Sequence, residues 1–226
     1  QGGAFLLNRR FALGANTDGL FGVAQWNILA DGLHDSFPRC AKSILEWKHR
    51  GPLIASELRL FLERGLVVAC EEVDRFAELK AQLGALAHCF FAEKKGGVGD
   101  GCALFVPSAH YDVAREQQSC VLEKGASQLA LCVALTHRPS QTQFVVAATH
   151  LKAKRGFEEL RKRQAASLCK FVEHYAAGLP ICIAGDFNDE PNSMAADVMR
   201  AAGFQSAYVT CGVSETYTTS KWREEL

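Results

Sequence analysis

Residues Ile181–Pro191, ICIAGDFNDEP, run an apolar stretch straight into Asp186, Asn188, Asp189 and Glu190. Three other apolar stretches end the same way: FGVAQWN at Asn27, LVVACEE at Glu72 and FVVAATH at His150. A single Asp/Asn-rich ending is an ordinary turn. Four in one chain, carrying only Asn, Glu, His and Asp, point to chemistry. Oxygen-rich ends of this kind suit a hard divalent cation, Mg²⁺ or alternatively Mn²⁺, and the phosphate that such an ion carries. Glu72 is the candidate metal ligand. Asp186 and Asn188 would position or activate a water, and Asn27 would orient it by its amide dipole. His150 would donate to charge growing on phosphorus. Such a site works by positioning and electrostatics, so no covalent nucleophile is expected.

For these ends to meet, the four stretches must be strands that leave their sheets on one side. Apolar runs of this length suit strands buried on both faces. In layered α/β folds, ligands collect at the carboxyl ends of such strands. Helical spacing covers Leu53–Arg64, opened by Pro52 and closed by Gly65. Asp74 is placed to cap a second helix with a stripe of Phe76, Leu79, Leu83 and Leu86. Short strands are expected at His88–Glu93, Gly101–Val106 and Tyr111–Arg115. Leu129–Thr136 and Phe144–His150 form a hairpin around Arg138–Gln141. Gly156–Tyr175 is the longest helix, and Ser193–Ala202 the last, capped by Asn192 or Ser193. Ser206–Leu226 is polar and strand-like at best. Strands alternating with helices imply α/β layers.

At 226 residues, 48% of them hydrophobic, the chain can bury one sizeable core. Lys+Arg and Asp+Glu each number 25. This balance argues against a partner held by a broad field, such as long duplex DNA or a membrane surface. A small phosphorylated ligand needs only a local cluster, and Lys152, Lys154 and Arg155 provide one. Nine scattered cysteines with no CxxC suggest buried thiols in a reducing, intracellular compartment, cytoplasmic or mitochondrial. No apolar segment is long enough to span a bilayer. Residues 1–20 read as a leader or linker. Oligomeric state has no signature. His34, His49, His88, His110, His137 and His174 read as structural, as do Trp26 and Trp47. Arg161–Arg163 reads as a solvated helix face, Lys94–Gly101 as a flexible rim, and Asp189 and Glu190 as caps of the following turn.

In order and spacing, QWNILADG, EEVDRF, GDGCALF, THLKAK and GDFNDEP resemble the exonuclease–endonuclease–phosphatase (EEP) superfamily, within it the nocturnin-like and deadenylase branch. The match runs from Phe21 to Tyr217. The resemblance implies a four-layer α/β sandwich, two mixed sheets face to face between helices, over residues 21–226. It implies a Mg²⁺-dependent removal of the 2′-phosphate of NADP(H) to give NAD(H). A poly(A)-specific 3′-exoribonuclease is the alternative, and a catalytically dead member that binds an RNA-regulatory partner is the third. Carried over, the metal-binding glutamate is Glu72, the orienting asparagine Asn27, the catalytic pair Asp186 and Asn188, and the strand-end histidine His150. Lys94 and Lys152 match substrate-binding lysines. Lys154 stands where this branch has an arginine, with Arg155 next, and the two residue types hold phosphate differently. The family's closing TxDYI and Ser-Asp-His motifs do not occur before Leu226. A C-terminally truncated domain is therefore expected, with closing strands missing, an exposed sheet edge and little activity alone.

Overall fold

Side-chain alternation along each strand decides which layer it touches. The computed structural model describes residues 21–37, 39–210 and 212. Its elements run β1 (Gly22–Asn27), a 3-10 turn (Asp31–Ser36), α1 (Lys42–Leu45), α2 (Trp47–Glu63), β2 (Leu66–Val73), α3 (Phe76–Leu83), β3 (Ala87–Glu93) and β4 (Gly101–Pro107). There follow β5 (Tyr111–Val121), β6 (Leu129–His137), β7 (Thr142–His150), α4 (Glu158–Ala176), β8 (Ile181–Asp186), α5 (Met194–Ala201) and α6 (Ala207–Thr210). Two four-stranded sheets result, ordered β1-β2-β4-β3 and β5-β6-β7-β8. Both are mixed. β1 pairs with β2 in parallel, and β7 with β8 in parallel, while the other pairings are antiparallel.

Between the sheets lie Val67 and Ala69 of β2, Leu104 and Val106 of β4, Leu131, Val133 and Leu135 of β6, and Val146 and Ala148 of β7. The residues between them in sequence face outwards. Val68, Cys70, Ala103 and Phe105 pack under Leu58 and Phe61 of α2 and Leu79 and Leu83 of α3. Ala130, Cys132, Val145 and Ala147 pack under Leu168, Val172 and Tyr175 of α4. The layers are thus helix, sheet, sheet, helix, as the sequence resemblance implies. Strands that are apolar on both sides are what two such burials require.

Local signals fared unevenly. Gly65 does end α2, at φ +76°. That helix starts at Trp47 rather than Pro52, because Asp31 accepts the Trp47 N–H at 3.0 Å and caps it from outside the segment. Pro52 therefore sits inside the helix and removes one ladder bond. Asp74 does not cap α3; its Oδ2 accepts the Gly32 N–H at 3.0 Å. Ser193 does cap α5, accepting the Ala196 N–H. β5 continues past Arg115 to Val121, exposed along most of its length. Ala207–Thr210 is a short helix, not a strand. The leader reading of residues 1–20 and the Tyr217 match lie outside the described residues. Among those described, no helix is long and apolar enough to cross a membrane.

β8 is an edge strand among the described residues, paired only to β7, and all six of its residues are half-buried. Gly185 near its end has no room for a side chain. A Cβ there would lie 2.2 Å from the Thr149 carbonyl oxygen, in the strand it pairs with. Gly185→Ala is expected to cost about 1–3 kcal/mol by forcing β7 and β8 apart, read as a lower urea midpoint. An unchanged midpoint would mean that the two strand ends are not held this closely.

Candidate active site

Three of the four strand ends reach a common mouth by parity alone. Val23 of β1 and Ala184 of β8 face the space between the sheets. Alternation then turns Gln25, Asn27 and Asp186 the same way. Val146 and Ala148 do so for His150 in β7, which is in register with Asp186.

β2 needs a device. Val67 and Ala69 face inwards and Val68 and Cys70 outwards, so strict alternation would send Glu72 outwards under the helices. Instead the register with β4 shifts between Cys70 and Val73, and Glu72 takes φ +56°. Val73 then packs in the outer layer with Val68 and Cys70. This bulge turns the Glu72 carboxylate to the mouth beside Glu71. Left-handed backbone at a glutamate is costly, and such strain is typical of residues held in place for function.

The side chains then touch. Asn27 Nδ2 donates to Glu72 Oε1 at 2.9 Å and to Asp186 Oδ2 at 3.0 Å, bridging the two sheets. Its Oδ1 accepts the Leu29 N–H at 3.1 Å, so the whole amide is committed. The Ala30 N–H donates to Glu72 Oε2 at 3.4 Å. Asp186 Oδ1 accepts the Asn188 N–H at 3.0 Å, and Asn188 Nδ2 donates to the Leu151 carbonyl at 3.1 Å.

His150 is buried, with Nε2 3.9 Å from Asp186 Oδ2. Lys94 Nζ lies 3.0 Å from His150 Nδ1 and 2.6 Å from Asp100 Oδ2. An ammonium group can only donate, so Nδ1 must accept and the ring proton sits on Nε2, towards the mouth. Burial, then the Lys94 charge, hold the His150 pKa below its ordinary value, against the pull of Asp186, Glu72 and Asp100. The imidazole is a neutral donor. Lys94 is thus no element of a loose rim.

Lys152 follows at the edge of the mouth, its Nζ 4.9 Å from the Phe157 ring centroid. Lys154 and Arg155 lie exposed further along the loop, outside this hydrogen-bonded set.

Two functional candidates went unread in the sequence. Arg161 is buried, not part of a solvated face. Its Nε donates to Asp189 Oδ2 at 3.0 Å, and one Nη donates to the carbonyls of Lys152 at 3.1 Å and Lys154 at 2.8 Å. It ties the lysine loop to the turn after Asp186, and Asp189 is its partner as well as a turn former. Helical spacing with Ala165, Leu168 and Val172 could have flagged it. Glu71 is the second. It is fully buried, accepts from Gln25 Nε2, and its Oε1 has no partner. Burial pushes its pKa well above the usual carboxylate range, with Asp186 and Glu72 adding to the rise.

Among the described residues, no three His, Cys, Asp or Glu side chains form a metal cage. Mg²⁺ keeps most of its waters and asks the protein for one or two carboxylates. Glu72 fits that demand, because its oxygens accept only from the Asn27 amide and a backbone N–H, and no cation neutralises it at ion-pair distance among the described residues.

The two-sheet sandwich between helices is the fold of endonuclease/exonuclease/phosphatase proteins, and the chain resembles the nocturnin-like members of that superfamily. Its similarity is to the nocturnins: it is 34% identical to nocturnin of Drosophila melanogaster over 75% of this chain and 29% of that protein. It is 31% identical to nocturnin of Homo sapiens over 75% of this chain and 43% of that protein. The structure of the human nocturnin catalytic domain with bound sulfate superimposes with a TM-score of 0.73 at 26% identity, over 89% of this chain and 78% of that one. The chain therefore spans less than half the length of these curated relatives. No family model matches.

Proposed function

We propose that this chain is the catalytic part of a Mg²⁺-dependent phosphohydrolase that removes the 2′-phosphate of NADP(H), leaving NAD(H) and phosphate. The convergence of Asn27, Glu72, His150 and Asp186 between the two sheets carries the reading. Glu72 would hold Mg²⁺, which when bound neutralises phosphate oxygens and stabilises the charge that builds in the transition state. Asp186 orients the attacking water and takes its proton, while Asn27 and Asn188 hold Asp186 at each oxygen. His150 Nε2–H donates to the phosphoryl oxygens, and Lys94 keeps it in that tautomer. Lys152 meets the substrate's remaining phosphates, with Lys154 and Arg155 on the approach.

Residues 21–226 are assigned to one catalytic domain. All eight described cysteines are free, which supports an intracellular site of action, cytoplasmic or mitochondrial. The test uses full-length protein. Phosphate release from NADP⁺ is expected with Mg²⁺ and not with EDTA, and oligo(A) is expected to keep its length. Shortening of oligo(A) without phosphate release from NADP⁺ would replace this reading with the deadenylase.

A further inference from the structure

The turn that follows β1 is held on two sides. On one side its N–H groups serve the mouth: the Leu29 N–H donates to Asn27 Oδ1 at 3.1 Å, and the Ala30 N–H to Glu72 Oε2 at 3.4 Å. On the other side stands Arg50, from the first turn of α2. One Nη of Arg50 donates to the carbonyls of Ile28 and Leu29, both at 2.9 Å. Its Nε donates to the Leu45 carbonyl. Among the described residues, Arg50 itself makes no hydrogen bond to Asn27 or Glu72.

Covalent geometry links the two sides. A trans peptide points its C=O and its N–H in opposite directions. The Ile28 carbonyl shares a plane with the Leu29 N–H, and the Leu29 carbonyl with the Ala30 N–H. A guanidinium that fixes both carbonyls therefore aims both N–H groups at Asn27 and Glu72. Leu29 takes φ +61° to turn two successive planes the same way, a conformation that a bulky side chain resists. Without the clamp, cheaper backbone at Leu29 would swing the N–H groups off their acceptors. The other Nη of Arg50 is buried, 3.9 Å from Asp31 Oδ1, with no hydrogen-bond partner among the described residues. Packing gives no reason for such a group, since an apolar side chain would fill the space without an unpaired donor.

We propose that Arg50 is a positioning residue of the site: it clamps the Asn27–Ala30 turn, so that Glu72 is presented to Mg²⁺ and Asn27 to Asp186 in fixed geometry. The inference rests on the reading of Glu72 as the Mg²⁺ ligand and deepens it. Groups that hold a metal ligand from behind set its affinity almost as the ligand does. Lysine cannot take over the clamp. It keeps the charge, but its single nitrogen falls where the guanidinium carbon lies, short of both carbonyls.

The test uses full-length protein and two readouts: Mn²⁺ binding by electron paramagnetic resonance, which needs no substrate, and kinetics on NADP⁺. Arg50→Lys is expected to weaken Mn²⁺ binding about 10-fold and to lower kcat about 10- to 100-fold, with KM for NADP⁺ unchanged. Adding Leu29→Gly, which takes left-handed backbone without strain, is expected to recover most of both losses. Unchanged Mn²⁺ affinity and kcat in Arg50→Lys would overturn the inference, as would losses in folded protein that Leu29→Gly does not recover. If Arg50→Lys fails to fold, the double variant is read in its place. Fold and affinity regained together support the clamp; fold regained without affinity, or no fold in either variant, overturns it. A weakened Mn²⁺ site in Arg50→Lys, in a protein that releases no phosphate from NADP⁺, would end the NADP(H) reading and still support the clamp. No Mn²⁺ bound by the unmutated protein would end the metal reading, and the inference with it.

Discussion

Glu72→Ala is expected to cut Mg²⁺-dependent phosphate release by about 10²- to 10³-fold, the scale on which a single electrostatic stabiliser acts. The argument begins with the bulge in β2. Glu72 is turned out of the alternation at φ +56° and, among the described residues, accepts hydrogen bonds only from an amide and a backbone N–H. A carboxylate held at such backbone cost and left without a cationic partner has its charge reserved for something else. Glu72→Gln keeps the size and the acceptor and removes the charge, so it should lose activity to a similar extent. Stability should follow a different order. Losing the two hydrogen bonds costs Glu72→Ala about 1–2 kcal/mol. Glu72→Gly loses the same bonds but relaxes the left-handed backbone by about 1 kcal/mol, so it should melt above Glu72→Ala. Steady-state rates across a Mg²⁺ series, with thermal melts of all three variants, decide the matter. Undiminished turnover in Glu72→Ala would remove it as the ligand.

How much of this could be read in the sequence follows from parity. In β1, β7 and β8, the polar ends are continuous with an unbroken alternation, so Asn27, His150 and Asp186 can be read from spacing once the strands are recognised. In β2 the alternation breaks, and two adjacent glutamates give no sign of which faces where. The motif pointed to Glu72, and only the backbone explains why it can serve. Groups fixed by distant partners were illegible for a different reason. Asp31 caps α2, Asp74 holds Gly32, and Lys94 sits between Asp100 and His150, all through contacts that no local pattern encodes. Arg161 is the instructive failure. Its position on the buried stripe of α4 was readable, but its charge and its charged neighbours Lys162 and Arg163 outweighed the spacing. A buried arginine is tolerated there because Asp189 and two backbone carbonyls satisfy it.

Glu71→Gln is expected to stabilise the metal-free fold at neutral pH, by about 1–3 kcal/mol in denaturant unfolding. Glu71 is fully buried between the sheets, with Gln25 as its donor and Oε1 unpaired. Burial raises its pKa far above that of an unfolded glutamate, about 4.3. The sign follows from proton counting. Above pH about 4.3 the unfolded chain gives up this proton while the folded chain keeps it. The folded state then binds more protons, and its stability falls as pH rises, until the folded pKa is passed. Glutamine carries no such proton, so its advantage should be smallest below pH about 4.3 and grow towards neutrality. His150 acts in the other direction. Its pKa is lowered by burial, so its contribution is present above the ordinary histidine value and is lost as pH falls. Both proteins share that loss, and their difference isolates Glu71. Urea midpoints at several pH values, with EDTA present, give the comparison. Parallel pH profiles for the two proteins, or a Glu71→Gln that is less stable at neutral pH, would show that the buried carboxylate is better satisfied than its contacts indicate.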